Sequence, residues 1–494
     1  MRHSALGVKR SATGDDAKVR IAVLGASGYV GSRLVTRLIE DGHEVVAVAR
    51  HVDSIPEHER TERVAVDLAD ARALEEALAC CAVAYYLVHS MAGGDGFAER
   101  DRELAAVTAK AAGAAGVGRI VYLGGLGDDQ LSTHLTSRHD TGEALRSADV
   151  PVVELRAAVV LGSGSISFEM VRYLTERLPV MVCPRWVRTR VQPIAERDLL
   201  EHLVQARTVA PGTYEIGGPE VTTYRDMIAT YAEVRGLPRR VVVDVPLLTP
   251  SLSAHWVDLV TPVDRSVSHA LIESLTAEVV VRTPTDAFDV EGMSVADAIG
   301  AALDDQAERI PAELFSFEAG LCDGVYVMHS HADVAREHLE GAEADVDSCG
   351  GDLAWYGLAW AWWLRIRLGR PFGEHLELHR PPAVVEGAEV DWWTVARIEP
   401  ALLVLSTRRW AFGEAWLGYA VRRLPSPRVE QVGAFRPLGL RGTVYWRLLW
   451  PIHVVVFRLM ARRQATRAAQ QAGALSVSRR RWPARRRARR AARA

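Results

Sequence analysis

Three glycines stand three residues apart in the stretch VRIAVLGASGYVGSRLVTRL: Gly25, Gly28 and Gly31. They follow a short apolar run and open a segment of helical period. In that setting each glycine has its own task. The first closes a tight turn, the second lets a pyrophosphate approach the backbone, and the third lets a helix pack close to a strand. The phosphates then rest on amides at the helix N-terminus. Ser27, Tyr29 and Val30 complete the expected contact surface. Arg50 and His51 follow the second apolar run, where an acid would bind a ribose 2′-hydroxyl and an arginine can pair with a 2′-phosphate. Arg50 therefore points to NADP(H), with NAD(H) as the other form such a site accepts. Asp67 and Leu68, after the third run, are expected beside the adenine. Val88 and His89, after the fourth, are expected towards the ribose and nicotinamide.

The elements that must position these residues alternate. Strands are expected at Arg20–Leu24, Glu44–Ala49, Arg63–Val66, Val83–Val88, Arg119–Leu123 and Val152–Leu155. Helices are expected at Ser32–Glu40, Ala71–Ala79, Phe97–Ala114 and Thr141–Ser147. Several strands are almost wholly apolar, as when helices cover both faces of a parallel sheet. The fold class expected is α/β, a doubly wound parallel sheet.

Composition changes towards the C-terminus. Of the 13 tryptophans only Trp186 and Trp256 precede residue 320. Beyond it, a strand is expected at Gly324–His329 and a helix at Ala332–Leu339. Antiparallel strands follow at Trp392–Ile398, Leu402–Ser406, Trp416–Arg423 and Val429–Phe435, then one long helix at Gly439–Arg463. This is an α+β pattern. The expected organisation is a leader over residues 1–17, a dinucleotide-binding domain over 18–310, a second domain over 320–463 and an unfolded basic tail over 464–494.

GASGYVG, VDLAD, RIVYLGGLG and YEIGGPEVTTYRDM resemble the short-chain dehydrogenase/reductase superfamily, most closely its extended and atypical, NmrA-like branches, from about Val19 to Arg282. The resemblance implies a Rossmann fold, a bound nicotinamide dinucleotide and, often, oxidoreductase or epimerase activity. That superfamily usually uses a tyrosine with a lysine four residues later. Here the matching stretch is HLTSRHDTGEAL, which places His134 at the tyrosine position and Arg138 at the lysine position. An imidazole titrates near neutrality and can act as a general acid. Arg138 can bind the nicotinamide ribose but is no tunable base. The serine position falls in Gly124–Gly125, and Arg156–Ala157 stands where the family often has Arg-Pro. Arg185, Arg188 and Arg190 suit either an anionic substrate or a solvated strand edge. No Ser–His–Asp or Cys–His set for a nucleophilic site is evident.

GAFRPLGLRGTVYWRLLWPIHVVVFRLMARR resembles a domain of unknown function fused to such Rossmann domains and, more broadly, the helix-grip fold of polyketide cyclase and START-like proteins. That likeness implies an apolar cavity for a hydrophobic ligand, with Trp355, Trp360, Trp362, Trp363, Trp392 and Trp393 either lining it or serving as core aromatics.

Hydrophobic residues make up 49% and charged residues 24% of the 494, the profile of a folded chain with sizeable cores. Five cysteines without CxxC spacing suggest reduced thiols and a cytoplasmic protein. No metal site is expected. The net charge of -3 hides a tail from Ser478 with nine arginines and no acid, which leaves -3 - 9 = -12 for the rest. A solvated tail is the plainest reading, peripheral contact with anionic lipid the second and sequence-independent nucleic-acid contact the third; no specific nucleic acid is expected. No uninterrupted apolar run of about 18 residues predicts a spanning helix. The expected function is an NADP(H)-dependent oxidoreductase for a hydrophobic or lipid-like substrate. Its rival is a non-catalytic NADP(H)-sensing or scaffold protein without the usual Tyr-Lys pair.

Overall fold

The computed structural model describes residues 18–52, 55, 57–89, 96–127, 133–244, 277–316, 320–322, 324–346, 363, 367, 379–381, 384–407, 412–423 and 426–491, with backbone alone at 133–134, 185–186, 244, 320–322 and 473–491. The expected leader and Trp355, Trp360 and Trp362 lie outside the described residues. The helices are α1 (Tyr29–Glu40), α2 (Ala71–Leu78), α3 (Phe97–Ala114), α4 (Thr133–Leu145), α5 (Ile166–Arg177), α6 (Glu196–Gln205), α7 (Tyr224–Val234), α8 (Val295–Glu313), α9 (Leu339–Glu343) and α10 (Gly439–Ala491). The chain divides into two compact units that interleave along it. One is Met1–Val160, Thr189–Thr222 and Ser266–Ser294; the other is Leu161–Arg188, Thr223–Arg265 and Val295–Ala494. The boundaries read near 310 and 320 are therefore not those of the compact units.

The first unit is a Rossmann-like α/β domain. Its strands are β1 (Arg20–Leu24), β2 (Glu44–Ala49), β3 (Thr61–Ala65), β4 (Val83–Tyr86), β5 (Arg119–Gly125), β6 (Val152–Ala157) and β7 (Gly212–Ile216). They form one sheet in the order β7-β6-β5-β4-β1-β2-β3, and every pairing is parallel. Alternate residues of each strand feed opposite faces. Ile21, Val23, Val45, Ala47 and Tyr85 pack with Leu34 and Leu38 of α1 and Leu199 and Leu203 of α6. Ala22, Leu24, Val46, Val48 and Tyr86 pack with Leu74 and Leu78 of α2 and Ala105 and Ala112 of α3. Burial on both faces is why these strands read as continuous apolar runs. The order reverses between β1 and β4, which opens a crevice at their carboxyl ends, where open α/β sheets bind ligands.

The second unit carries a separate antiparallel sheet of β8 (Gly320–Cys322), β9 (Val325–Asp333), β10 (Glu389–Val390), β11 (Trp393–Glu399), β12 (Leu402–Thr407), β13 (Gly413–Arg422) and β14 (Arg428–Pro437). Its order is β8-β9-β14-β13-β12-β11-β10, so the first long strand pairs with the last. On one face Val456, Phe457 and Met460 of α10 join Met328, Leu405 and Leu417. On the other, Ile310 of α8 and Leu314 meet Val325, Val404 and Val432.

Two readings of the C-terminal half are corrected. The helix expected at Ala332–Leu339 starts later, because β9 runs to Asp333 and pairs with β14 as far as Asp333↔Arg428. Only a turn of 3₁₀ helix at Arg336–His338 and the short α9 remain. Tertiary pairing here overrides a locally helical pattern. The tail expected to be unfolded from residue 464 instead continues α10 to Ala491. Gln464 and Ala468 are buried, and Arg467 and Gln471 reach Asp345 at 3.2 and 2.6 Å. Alanine and arginine are also strong helix formers.

A chain of buried charges runs through this unit. Arg172 of α5 is 0% exposed, and its Nε donates to Glu169 at 2.7 Å. Gly324, at φ +74°, turns against this guanidinium, where any Cβ would run into it. Glu176 accepts from the Tyr231 hydroxyl at 2.7 Å and from Arg235 Nε at 3.4 Å. Arg235 Nη1 reaches Glu414 on β13 at 3.2 Å, and Arg436 Nε on β14 reaches the same carboxylate at 2.8 Å. Arg436 Nη1 continues to Gln306 of α8 at 2.7 Å. Buried charges need such partners, and these tie α5 and α7 to the C-terminal sheet.

Candidate functional site

The glycine turn joins β1 to α1. Gly25 adopts φ +86°, which favours glycine, and a Cβ there would lie 2.9 Å from the Leu87 carbonyl oxygen. Its amide donates to the Val48 carbonyl at 3.0 Å, so the turn is pinned between the ends of β2 and β4. A Cβ on Gly31 would run into the Gly25 carbonyl, so this glycine permits the close approach of helix and turn. Gly28 differs. Among the described residues a Cβ there would meet Gly25 O alone, at 3.2 Å. It is the N-cap of α1, and no side chain caps the helix. First-turn amides with no intrahelical acceptor and an open approach at Gly28 fit a pyrophosphate.

The flanking residues fix this end of α1. Tyr29 donates to Glu196, and Arg33 lies 4.2 Å over the Tyr29 ring while its Nε donates to Glu196 at 2.6 Å. Ser27 is exposed and Val30 half-buried. Arg50 and His51 are exposed just beyond the carboxyl end of β2. Asp67 is exposed and accepts from the Ala69 amide at 3.1 Å, whereas Leu68 is buried in the core beneath β3.

Val88 and His89 follow β4, with Val88 beside Gly25. His89 is bound to Asp101 of α3, Nδ1 to Oδ2, at 2.9 Å. With the carboxylate as acceptor, Nδ1 carries the proton and Nε2 is left basic. Burial pushes the His89 pKa down, the nearby Arg138 charge pushes it further, and Asp101 opposes both without reversing the shift. The ring is therefore neutral at pH 7. Asp101 is itself buried, and Tyr86 presents a buried hydroxyl without a hydrogen-bond partner whose pKa burial and Asp101 raise.

Helix α4 starts at Thr133, earlier than the expected Thr141, and so includes His134 and Arg138. The His134 side chain lies outside the described residues. Arg138 Nη1 donates to the Leu123 carbonyl at 3.0 Å, and the Tyr122 hydroxyl donates to the Arg138 carbonyl at 2.9 Å. Burial drives the Tyr122 pKa up to about 12, against the Arg138 charge. Arg156 donates to the buried Glu154 at 2.7 Å, and Arg146 reaches the same carboxylate at 2.6 Å. Arg190 is exposed and pairs with Glu278 at 2.9 Å; Arg188 is also exposed. In the second unit Trp393 is buried in the sheet's core and stacks at 6.5 Å with Trp392, which is half-buried against that core, whereas Trp363 is exposed. Among the described residues no group of three or more His, Cys, Asp or Glu is placed to hold a metal.

The structure thus sets Gly25, Gly28 and Gly31 past the carboxyl end of β1 and Val88 and His89 past the carboxyl end of the adjacent β4, with Val88 beside Gly25. The Asp101 partner of His89 was missed. It lies twelve residues on, and no spacing rule links a loop after a strand to the first turns of the next helix.

Residues 25–157 match a family described as NAD(P)H-binding, and residues 328–460 match a protein family of unknown function, DUF2867. The first unit is thus a nicotinamide-dinucleotide-binding Rossmann domain. Uncharacterised proteins of Mycobacterium bovis and Mycobacterium tuberculosis are 28% identical over 212 residues, 43% of this chain and 23% of theirs. The chain thus spans about a quarter of the length of those relatives. A ceramide reductase of Caulobacter vibrioides is 28% identical over 238 residues, 46% of this chain and 74% of that protein. Among solved structures, a Citrobacter triphenylmethane reductase is similar with TM-score 0.48 and 20% identity, covering 58% of this chain and 99% of that one. A nucleoside-diphosphate-sugar epimerase of Staphylococcus aureus has TM-score 0.47 and 14% identity, covering 57% and 100%.

Proposed function

We propose that the protein is a cytoplasmic NADP(H)-dependent oxidoreductase of the atypical short-chain dehydrogenase kind, reducing a hydrophobic or lipid-like carbonyl compound. One observation carries the reading: the glycine turn after β1, open at Gly28, lies against Leu87 and Val88 past the end of β4, and the next residue, His89, is held on a buried carboxylate. Gly25, Ser27, Gly28, Tyr29, Val30 and Gly31 receive the pyrophosphate. Asp67 and Leu68 lie at the adenine, and Arg50 and His51 meet the 2′-phosphate. When bound, the dinucleotide supplies the hydride that goes to the carbonyl carbon. His89 in its protonated form, reached as pH falls, gives its Nε2 proton to the carbonyl oxygen and returns to the neutral ring that Asp101 fixes through Nδ1. The ceramide reductase among the relatives supports a lipid-like substrate. In the second unit, a sheet whose first long strand pairs with its last, with a long C-terminal helix on one face, supports a helix-grip reading.

The reading is tested by purified protein with NADPH against a panel of hydrophobic ketones, quinones, enones and long-chain lipid ketones. His89→Gln should lower turnover by about 10²-fold, at the lower end of general acid–base effects, with NADPH affinity unchanged. His134→Gln is run beside it. A loss only in the latter moves the proton donor to His134, the family's tyrosine position. In the reverse direction the base is the neutral imidazole. Because its pKa is lowered, alcohol oxidation should hold its plateau down past the ordinary histidine value of about 6.5 and fall only below it. Calorimetry should show NADPH bound more tightly than NADH. Arg50→Ala should weaken NADPH by roughly 10- to 100-fold, the scale of charge-assisted phosphate hydrogen bonds, and leave NADH unchanged. Equal loss for both cofactors would remove Arg50 from the 2′-phosphate.

The sensing or scaffold alternative has its own support. Arg138, at the position of the usual lysine, donates to the Leu123 carbonyl and so serves the fold. NADPH binding with no turnover across the panel would favour it.

A further inference from the structure

Helix α10 has two unlike faces. Trp446, Val456, Phe457, Met460, Ala461, Gln464 and Ala468 are buried. The opposite face is exposed and apolar for four turns: Leu440, Val444, Leu448, Ile452 and Val455, with Leu448 72% exposed. At 1.5 Å per residue this stripe is about 22 Å long. Arg441 and Arg447 flank it, and Arg458 and Arg462 continue the same face beyond Val455, all four exposed. The 53 residues of α10 contain fourteen arginines and no Asp or Glu.

We infer that this face of α10 docks on an anionic lipid surface, with the stripe inserted at the headgroup boundary and the arginines on lipid phosphates. An exposed apolar face bordered by arginine on a helix is the pattern of an interfacial segment. Basic residues near anionic lipid add to its binding. Gly439–Ala472 is long and apolar enough to cross a membrane by length and composition. The buried face, packed on the sheet, and the arginines at 447 and 458 favour lying on the surface over spanning. A second copy of the chain is a poorer occupant, since two such faces would bring like charges together. A nucleic acid would satisfy the arginines but leave the apolar stripe in water. The inference does not rest on the reductase reading, because its residues all belong to the second unit.

The test is sedimentation of the full-length chain with vesicles of phosphatidylcholine containing 30% phosphatidylglycerol, and with phosphatidylcholine alone, at 0.15 M salt. The chain should partition onto the anionic vesicles at least tenfold better. Leu448→Glu combined with Ile452→Glu should lower that partitioning at least tenfold, because carboxylates would enter the headgroup boundary. Arg458→Gln with Arg462→Gln should lower it roughly tenfold and flatten its salt dependence. All substituted side chains are exposed, so the thermal transition and NADPH affinity should stay as in the parent; these two readouts separate loss of docking from loss of fold or cofactor site. Failure of the wild-type chain to bind, or undiminished binding by the folded Leu448/Ile452 variant, would overturn the inference. So would salt-sensitive binding to duplex DNA without vesicle binding, or a dimer broken by the glutamates.

Discussion

A Gly28→Val variant is expected to fold and to lose NADPH. The backbone at residue 28 has φ -78° and ψ 170°, a conformation open to any residue. Among the described residues the added Cβ meets only the Gly25 carbonyl oxygen, at 3.2 Å, so the turn needs to yield by little. The branched side chain would stand where the pyrophosphate approaches the amides of α1. Loss of two charge-assisted hydrogen bonds of roughly 2 kcal/mol each corresponds to about 10³-fold in affinity. Gly31→Ala is the contrasting control. Its Cβ runs into the Gly25 carbonyl, so it should lower the melting temperature of the apo protein, which Gly28→Val should barely move. Titration of NADPH fluorescence, with a thermal scan of each variant, checks both. A folded Gly28→Val protein with parental affinity would remove the turn from the cofactor site.

Glu414→Ala is expected to be the most destabilising single change in the second unit. The carboxylate is buried and is shared by Arg235 and Arg436. Removing it leaves two guanidiniums in the same interior without their counter-charge, and arginine cannot escape by deprotonation. Breaking a buried pair from one side costs about 3–5 kcal/mol. In a unit of this size that lowers the melting temperature by about 10 °C. Glu414→Gln keeps an acceptor and should lose roughly half as much. Burial alone would raise the Glu414 pKa, but Arg436 and Arg235 outweigh it and hold the carboxyl below the usual range. Its stabilisation is therefore complete above the unfolded glutamate pKa, about 4.3, and is lost as pH falls through the lower folded value. Parent and Glu414→Gln should differ at neutral pH and converge in acid. Equal denaturant midpoints at pH 7 would show that the charges do not hold the sheet to α7.

Much of the first unit is legible from local chemistry. The glycine turn, the apolar strands and the segment of α1 are each specified within a few residues of themselves. A turn that needs φ above zero and a strand covered on both faces leave marks in adjacent residues. The antiparallel strands from Trp393 to Pro437 are legible for the same reason. The helix expected at Ala332 was not, since β14 takes those residues into the sheet through pairing almost a hundred positions away.

By itself, then, the sequence determined where a dinucleotide turn forms and the segments of β1 to β6, while the edge strand β7 was not among the expected strands. The family resemblance read from it sets His134 and Arg138 at the positions of the usual Tyr-Lys pair, an expectation that the His134→Gln variant tests. Tertiary structure alone decided that His89 rests on Asp101, that α5 and α7 belong with the C-terminal sheet, and that Leu440, Val444, Leu448, Ile452 and Val455 of α10 are exposed. The division has a physical cause. Backbone conformation and side-chain period are local, and the sequence writes them out within one or two turns. A buried carboxylate instead finds its partner through topology: Glu176 meets Arg235 and Arg235 meets Glu414 only because the chain has already packed, and no spacing along it encodes which charges will share an interior.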